Sequence, residues 1–256
     1  MTDPPVTSTE LLRPWLARQY AELTGALLRL EEPEQVHRAR VRARRIRSVL
    51  AAYADVVPAE ARRLRPRLRR LARALSDLRD VDVLTELLVG DSEPHGAAHA
   101  WAEALHQQRT DLLAPAQREA GRKRTRRLLR HLHRLCAPEA WQHLPTTPAI
   151  AVAERVPRDQ LDRVRSREES GTRHDVRKAA KQLRYAAELA ATVHPPAAET
   201  AEVAQRIQDD LGADLDELMA AAWLDDFAAR TANPQLADAS RAEAARRRRP
   251  AAPHGG

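Results

Sequence analysis

A short block of this sequence occurs twice. HRARVRARRIRS begins at His37 and HDVRKAAKQLRY begins at His174, 137 residues later. Aligned on the histidines, Arg40 matches Arg177, Arg44 matches Lys181, Ile46 matches Leu183 and Arg47 matches Arg184. A second pair, LARALSDLRD from Leu71 and IQDDLGADLD from Ile207, repeats at an offset of 136 and pairs Leu75 with Leu211 and Asp80 with Asp216. Two blocks sharing nearly one offset point to a duplicated helical unit, and a repeat of this kind constrains the whole architecture. The two copies are expected to be related by a pseudo-two-fold.

Each helical residue turns by about 100°, so a His followed by cations at i+3, i+7 and i+10 occupies an arc of roughly 80°. His37, Arg40, Arg44 and Arg47 form one such stripe, and His174, Arg177, Lys181 and Arg184 form the other. Apolar residues lie beside each stripe: Ile46, Val49, Leu50 and Tyr53 in the first copy, Val176, Ala180, Leu183 and Ala187 in the second. A stripe bordering the core fits a helix lining a groove better than a fully solvated basic face. Like charges at i, i+4 repel by about 0.2–0.5 kcal/mol per pair, so the alignment requires an anionic partner. Carboxylates such as Asp80, Asp82, Asp216 and Glu217 could supply it, and so could an external polyanion.

Charge distribution favours the polyanion. Between Val36 and Leu75 stand 13 arginines and two acids, whereas Glu199–Asp226 carries nine acids and one arginine. The net charge of +7 concerns partners rather than fold. Two of only three lysines, Lys178 and Lys181, fall in the second block. Nucleic acid is the alternative partner, but aromatic residues make up 3% of the chain and no nucleic-acid-binding motif is present.

Composition and period imply an all-α chain. Glycines number 8, and Ala, Leu, Arg and Glu are abundant. Helices are expected near 8–30, 34–57, 59–75 (broken or kinked at Pro66), 80–89, 97–113, 115–136, 149–169, 171–193, 196–211 and 213–232, with 90–96 as a turn. The expected domain spans 8–232, as a first half at 8–137, a linker at 138–148 and a second half at 149–232. The tail at 233–256 is expected to be a disordered basic segment. No run of about 18 apolar residues suggests a transmembrane helix, and the N-terminal residues do not read as a signal peptide, so the expected compartment is the cytoplasm.

Together, VHRARVRARRIRSVL, LARALSDLRDVDVL, HDVRKAAKQLRYAAEL and IQDDLGADLDELMAAAWL resemble, in order, the CHAD domain, the conserved-histidine α-helical domain. The likeness covers roughly residues 8–228. It implies two pseudo-two-fold-related four-helix bundles around a basic central cavity, binding of inorganic polyphosphate, and association with polyphosphate granules. Carried over by motif, the binding residues are His37, Arg40, Arg44, Arg47, His174, Arg177, Lys181 and Arg184. Arg45 and Lys178 flank them, and Arg69, Arg73, Arg122 and Arg126 are candidates from neighbouring helices. Many relatives carry a fused triphosphate-tunnel domain. No ExExK motif occurs here, so the resemblance implies a stand-alone, non-enzymatic module.

Other features have simpler readings. Asp80 and Asp216 either cap and pair locally or orient stripe arginines from behind. Asp80 and Asp82 at i, i+2 diverge on a helix, as do His131 and His133, and no metal or other cofactor is expected. Cys136 has no evident base partner, which argues against a nucleophile. Trp101, Trp141 and Trp223 read as core or interface residues rather than stacking platforms.

Overall fold

The computed structural model describes residues 6–90, 95–211 and 213–248. Met1–Pro5, the middle of the 90–96 turn and the end of the 233–256 tail lie outside the described residues. The chain is all-α. The helices are α1 (Ser8–Leu27), α2 (Pro33–Ala52), α3 (Ala59–Ala74), α4 (Ser76–Leu88), α5 (Ala97–Gly121), α6 (Lys123–Cys136), α7 (Ala149–Ser170), α8 (Arg173–Ala190), α9 (Ala197–Asp210), α10 (Ala213–Arg230) and α11 (Pro234–Arg247). No described helix is long and apolar enough to cross a membrane.

Local chemistry sets the boundaries. Thr7 and Glu10 form a capping box on α1, and Thr172 and Asp175 form one on α8, so backbone donors at each N-terminus are satisfied reciprocally. Pro33 opens α2, where its missing N–H is harmless. Gly171 joins α7 to α8 at a close approach: a Cβ there would lie 2.7 Å from the Arg167 carbonyl oxygen.

Neither proline breaks its helix. α3 continues through Pro66, and α5 continues through Pro115 to Gly121. Both prolines are exposed. The carbonyls they orphan one turn back therefore face solvent and can bind water, while Leu64, Leu68 and Leu71 hold α3 together on its buried side.

The chain divides into two compact units. The larger comprises Met1–Ser76 and Ala114–Leu211, and the smaller comprises Asp77–Leu113 and Gly212–Gly256. Each draws on both copies of the repeat. Residues 138–148, expected to separate two halves, run inside the larger unit. There Trp141 is buried and donates to the Leu135 carbonyl at 2.7 Å. Ser8 N donates to Thr147 O, and Ala149 N donates to Val6 O, both at 2.8 Å, so the segment is tied to the start of α1.

In the larger unit the two repeat helices, α2 and α8, pack against each other. Val36, Ala39, Ala43, Ile46, Val49 and Leu50 form the buried face of α2, and Ala180, Leu183, Ala186, Ala187 and Ala190 lie buried on α8. The alanines allow close backbone approach, and a residue such as Ile46 contributes about 1.5–3 kcal/mol by burial. Tyr53, at the end of α2, donates its hydroxyl to the Ala186 carbonyl at 2.9 Å in the interior. Tyr53→Phe removes this second bond while the carbonyl keeps its place in the α8 helical ladder, so it is expected to lower stability by about 0.5–1.5 kcal/mol, measured by denaturant unfolding. No change would mean that water reaches the carbonyl.

The smaller unit contains α4, the first part of α5, α10 and α11. Leu84, Trp101, Leu105, Trp223 and Leu224 form its core, with Ala244 of α11. Trp101 donates to Ser240 Oγ at 2.9 Å, and Trp223 donates to Gln108 Oε1 at 3.0 Å. The expectation of a disordered tail is thus overturned for 234–247. Asn233 caps α11, Ala237, Ser240 and Ala244 are buried, and Arg247 donates to the Leu87 carbonyl at 2.8 Å.

Candidate functional site

Within the larger unit, α2, α3 and α8 surround a cleft of about 810 Å³. α2 supplies Arg40, Arg44 and Arg47, α3 supplies Arg62, Arg65, Arg69 and Arg73, and α8 supplies His174, Lys178 and Lys181. No carboxylate is among the described lining residues. The α3 arginines follow i, i+3, i+7, i+11, which places them on one side of that helix, next to its buried leucines. Ser48, Ser76, Gln182 and Tyr185 add polar groups.

Five cleft cations, Arg44, Arg47, Arg65, Arg69 and Arg73, have no carboxylate partner among the described residues. Burial, then the guanidiniums of Arg69, Arg44, Arg65 and Arg73, lower the Arg47 pKa. That shift is the electrostatic mark of like charges crowded where solvent screens them poorly. The Arg44 Nε is buried without a hydrogen-bond partner. At one end Arg40 Nη1 donates to the Ser76 carbonyl at 3.1 Å. At the rim Lys178 lies 3.7 Å from Asp175, an exposed pair that contributes little.

A different arrangement holds Arg45 and Arg184. Both pair with Glu188, and both guanidiniums lie over the Tyr185 ring, at 5.2 and 5.3 Å from its centroid. One carboxylate and one aromatic ring thus hold a cation from each copy of the repeat.

The family model for the CHAD domain matches residues 12–225. This chain belongs to the CHAD family. It is similar to the crystal structure of the CHAD domain from the plant Ricinus communis, with 21% identity and a TM-score of 0.72 over 96% of this chain and 87% of that one. It is also similar to PptA from Streptomyces chartreusis, with 21% identity and a TM-score of 0.65 over 95% of this chain and 94% of that one. At such identity the likeness concerns the fold. No curated protein matches significantly.

The two histidine blocks of this CHAD chain do not face the cleft alike. Arg40, Arg44 and Arg47 of the first stripe line it, but only His174 and Lys181 of the second do, joined by Lys178. Relative to the block histidine, the cleft residues of α8 sit at i, i+4, i+7, i+8 and i+11. Those of α2 sit at i+3, i+7, i+10, i+11 and i+14. At about 100° per residue, α8 is turned by some 50–60° relative to its counterpart. The turn takes Arg177 off the lining, where it is half-buried with an unpartnered Nε, and takes Arg184 to Glu188. His37 is half-buried and does not line the cleft.

Among the neighbouring candidates, Arg69 and Arg73 are lining residues and Arg45 is not. Arg122 lies 3.3 Å from Glu119 instead, and Arg126 is exposed outside the cleft. Asp80, half-buried on α4, and Asp216, exposed on α10, belong to the smaller unit. Asp82 accepts from Arg109 Nε at 2.8 Å, and burial raises its pKa despite that bond. Burial also raises the Cys136 thiol pKa, which disfavours the nucleophilic thiolate. Arg62 and Arg65 are lining residues outside the sequence candidates, although their spacing to Arg69 and Arg73 is helical.

Proposed function

We propose that this CHAD protein binds inorganic polyphosphate without chemically transforming it, in the α2–α3–α8 cleft. The observation that carries the reading is nine lysine and arginine side chains from three helices around one cleft whose described lining has no carboxylate. Internal phosphates of the polymer carry about one negative charge each, as nucleic-acid phosphates do. Guanidiniums grip such oxygens bidentately and ammoniums act as point charges. Family membership agrees with this reading. The described lining contains no carboxylate base and one histidine, which favours binding over hydrolysis.

The same geometry argues against nucleic acid. Tyr185 is the aromatic side chain in the described lining, and two guanidiniums already lie against its ring. Base stacking therefore has no open platform. In a cell, association with polyphosphate granules follows from the same reading.

The test is calorimetric titration with long-chain polyphosphate at several salt concentrations, with equal-charge DNA as competitor. Engaging several phosphates gives log K a steep linear fall with log salt, by about 0.7 per neutralised phosphate for a flexible strand. Arg44→Ala/Lys181→Ala should weaken binding at least tenfold. Displacement by DNA, or equal affinity in the variant, would reduce the cleft to a general basic surface.

A further inference from the structure

α3 carries arginines on two sides. Arg62, Arg65, Arg69 and Arg73 face the cleft, while Arg67 and Arg70 line a separate groove with Arg124 and Arg127 of α6. Around the α3 axis, Arg63, Arg67 and Arg70 lie roughly 80–140° from Arg62. Ala61, Leu64, Leu68 and Leu71 occupy the remaining, buried side. Only the outer ridge of α3 separates the two basic faces, and a helix with its side chains is about 10–12 Å across.

The α3–α6 groove is small, about 120 Å³, and is floored by Glu119 and Thr125. Glu119 is buried, accepts from both Arg124 Nε and Nη2 and lies 3.3 Å from Arg122, so its charge is already engaged by two guanidiniums. The Arg124 bonds hold its carboxyl below the usual range, keeping it ionised. Arg67, Arg70 and Arg127 remain, and among the described residues none of them has a carboxylate partner. α6 extends this surface, because Thr125, Leu128, Leu132 and Leu135 are buried while Lys123, Arg126 and Arg130 are exposed.

We infer that the α3–α6 groove is a second phosphate subsite, reached by a polyphosphate chain that leaves the cleft and crosses the ridge of α3. This rests on the polyphosphate reading of the cleft and adds a length requirement. A short oligophosphate fills the cleft alone. A chain long enough to cross α3 engages both faces, and the second engagement is intramolecular, so its effective concentration is high. The protein thereby favours polymer over oligomer without a length-measuring wall.

The experiment compares tripolyphosphate with long-chain polyphosphate on the full-length protein. The wild type is set against Arg67→Gln/Arg70→Gln/Arg127→Gln and against Arg44→Gln/Arg47→Gln. The outer variant should lose roughly a hundredfold in long-chain affinity and keep its tripolyphosphate affinity. The retained tripolyphosphate binding also shows that the variant is folded. The cleft variant should lose both ligands. Wild-type long-chain affinity in the outer variant, or equal losses for both ligands, would overturn the subsite. A wild type that binds neither ligand would overturn the polyphosphate reading itself, and the subsite with it.

Discussion

Replacing three cleft guanidiniums, in Arg44→Gln/Arg47→Gln/Arg69→Gln, is expected to weaken long-chain polyphosphate binding by roughly a thousandfold without lowering the stability of the free protein. Each charge-assisted contact contributes about 1.5–3 kcal/mol, and the lower end applies because neighbouring contacts are not additive. The salt slope of log K should flatten by about two, since three fewer phosphates are neutralised. Stability should move the other way. Arg47 lies half-buried, and its pKa is depressed by burial and by four neighbouring guanidiniums, including Arg69 and Arg44. Removing these charges relieves repulsion, and glutamine keeps part of the packed stem. The melting temperature should therefore hold or rise by a few degrees, while saturating polymer should raise the wild type by about 5–10 °C. Calorimetry and thermal melts of the same samples read both. Loss of binding with a large fall in melting temperature would mean unfolding, and unchanged binding would move the polymer elsewhere.

The largest stability effect is expected at Asp82. Its side chain is 1% exposed, and Arg109 beside it is 18% exposed. Asp82 Oδ2 and Arg109 Nη2 are both buried without hydrogen-bond partners, so the pair is only partly satisfied. Asp82→Ala strands the guanidinium among the packed helices of the smaller unit and should cost about 3–5 kcal/mol. Replacing both residues, as Asp82→Leu/Arg109→Leu, should recover most of that loss, because two apolar side chains need no compensating charge. Denaturant unfolding reads the magnitude, and hydrogen exchange across α4 and α5 locates it. A small effect for Asp82→Ala would mean that water already solvates Arg109.

The helical class, the two histidine blocks and half of the cleft could be read from the sequence because their signals are periodic. Arg40, Arg44 and Arg47 share one face by spacing alone, and that face does line the cleft. The second block has the same spacing, but the packing rotation of α8 is tertiary information, so Lys178 lines the cleft and Arg177 does not. Arg62 and Arg65 carry no repeat signal, because they lie outside the histidine blocks. The segment aligned with α3 at an offset of 136 has Ala198, Ala201, Gln205 and Asp209 where α3 has its four cleft arginines. α11 escaped because Ala237, Ser240 and Ala244 give no apolar period, although small residues are what close packing against other helices requires. Pro115 suggested a break that α5 does not make, because exposure lets water serve the freed carbonyl.

The order in which the chain visits its two units bears on how it is made. It leaves the larger unit after Ser76, returns at Ala114, and departs again at Leu211. A ribosome therefore delivers α4 and the start of α5 well before α10 and α11, their packing partners. At about 5–20 residues per second, the intervening Ala114–Leu211 takes roughly 5–20 seconds to synthesise. Throughout that interval Leu84, Trp101 and Leu105 await the side chains that will cover them, which makes the nascent chain a client for chaperones that shield apolar surface.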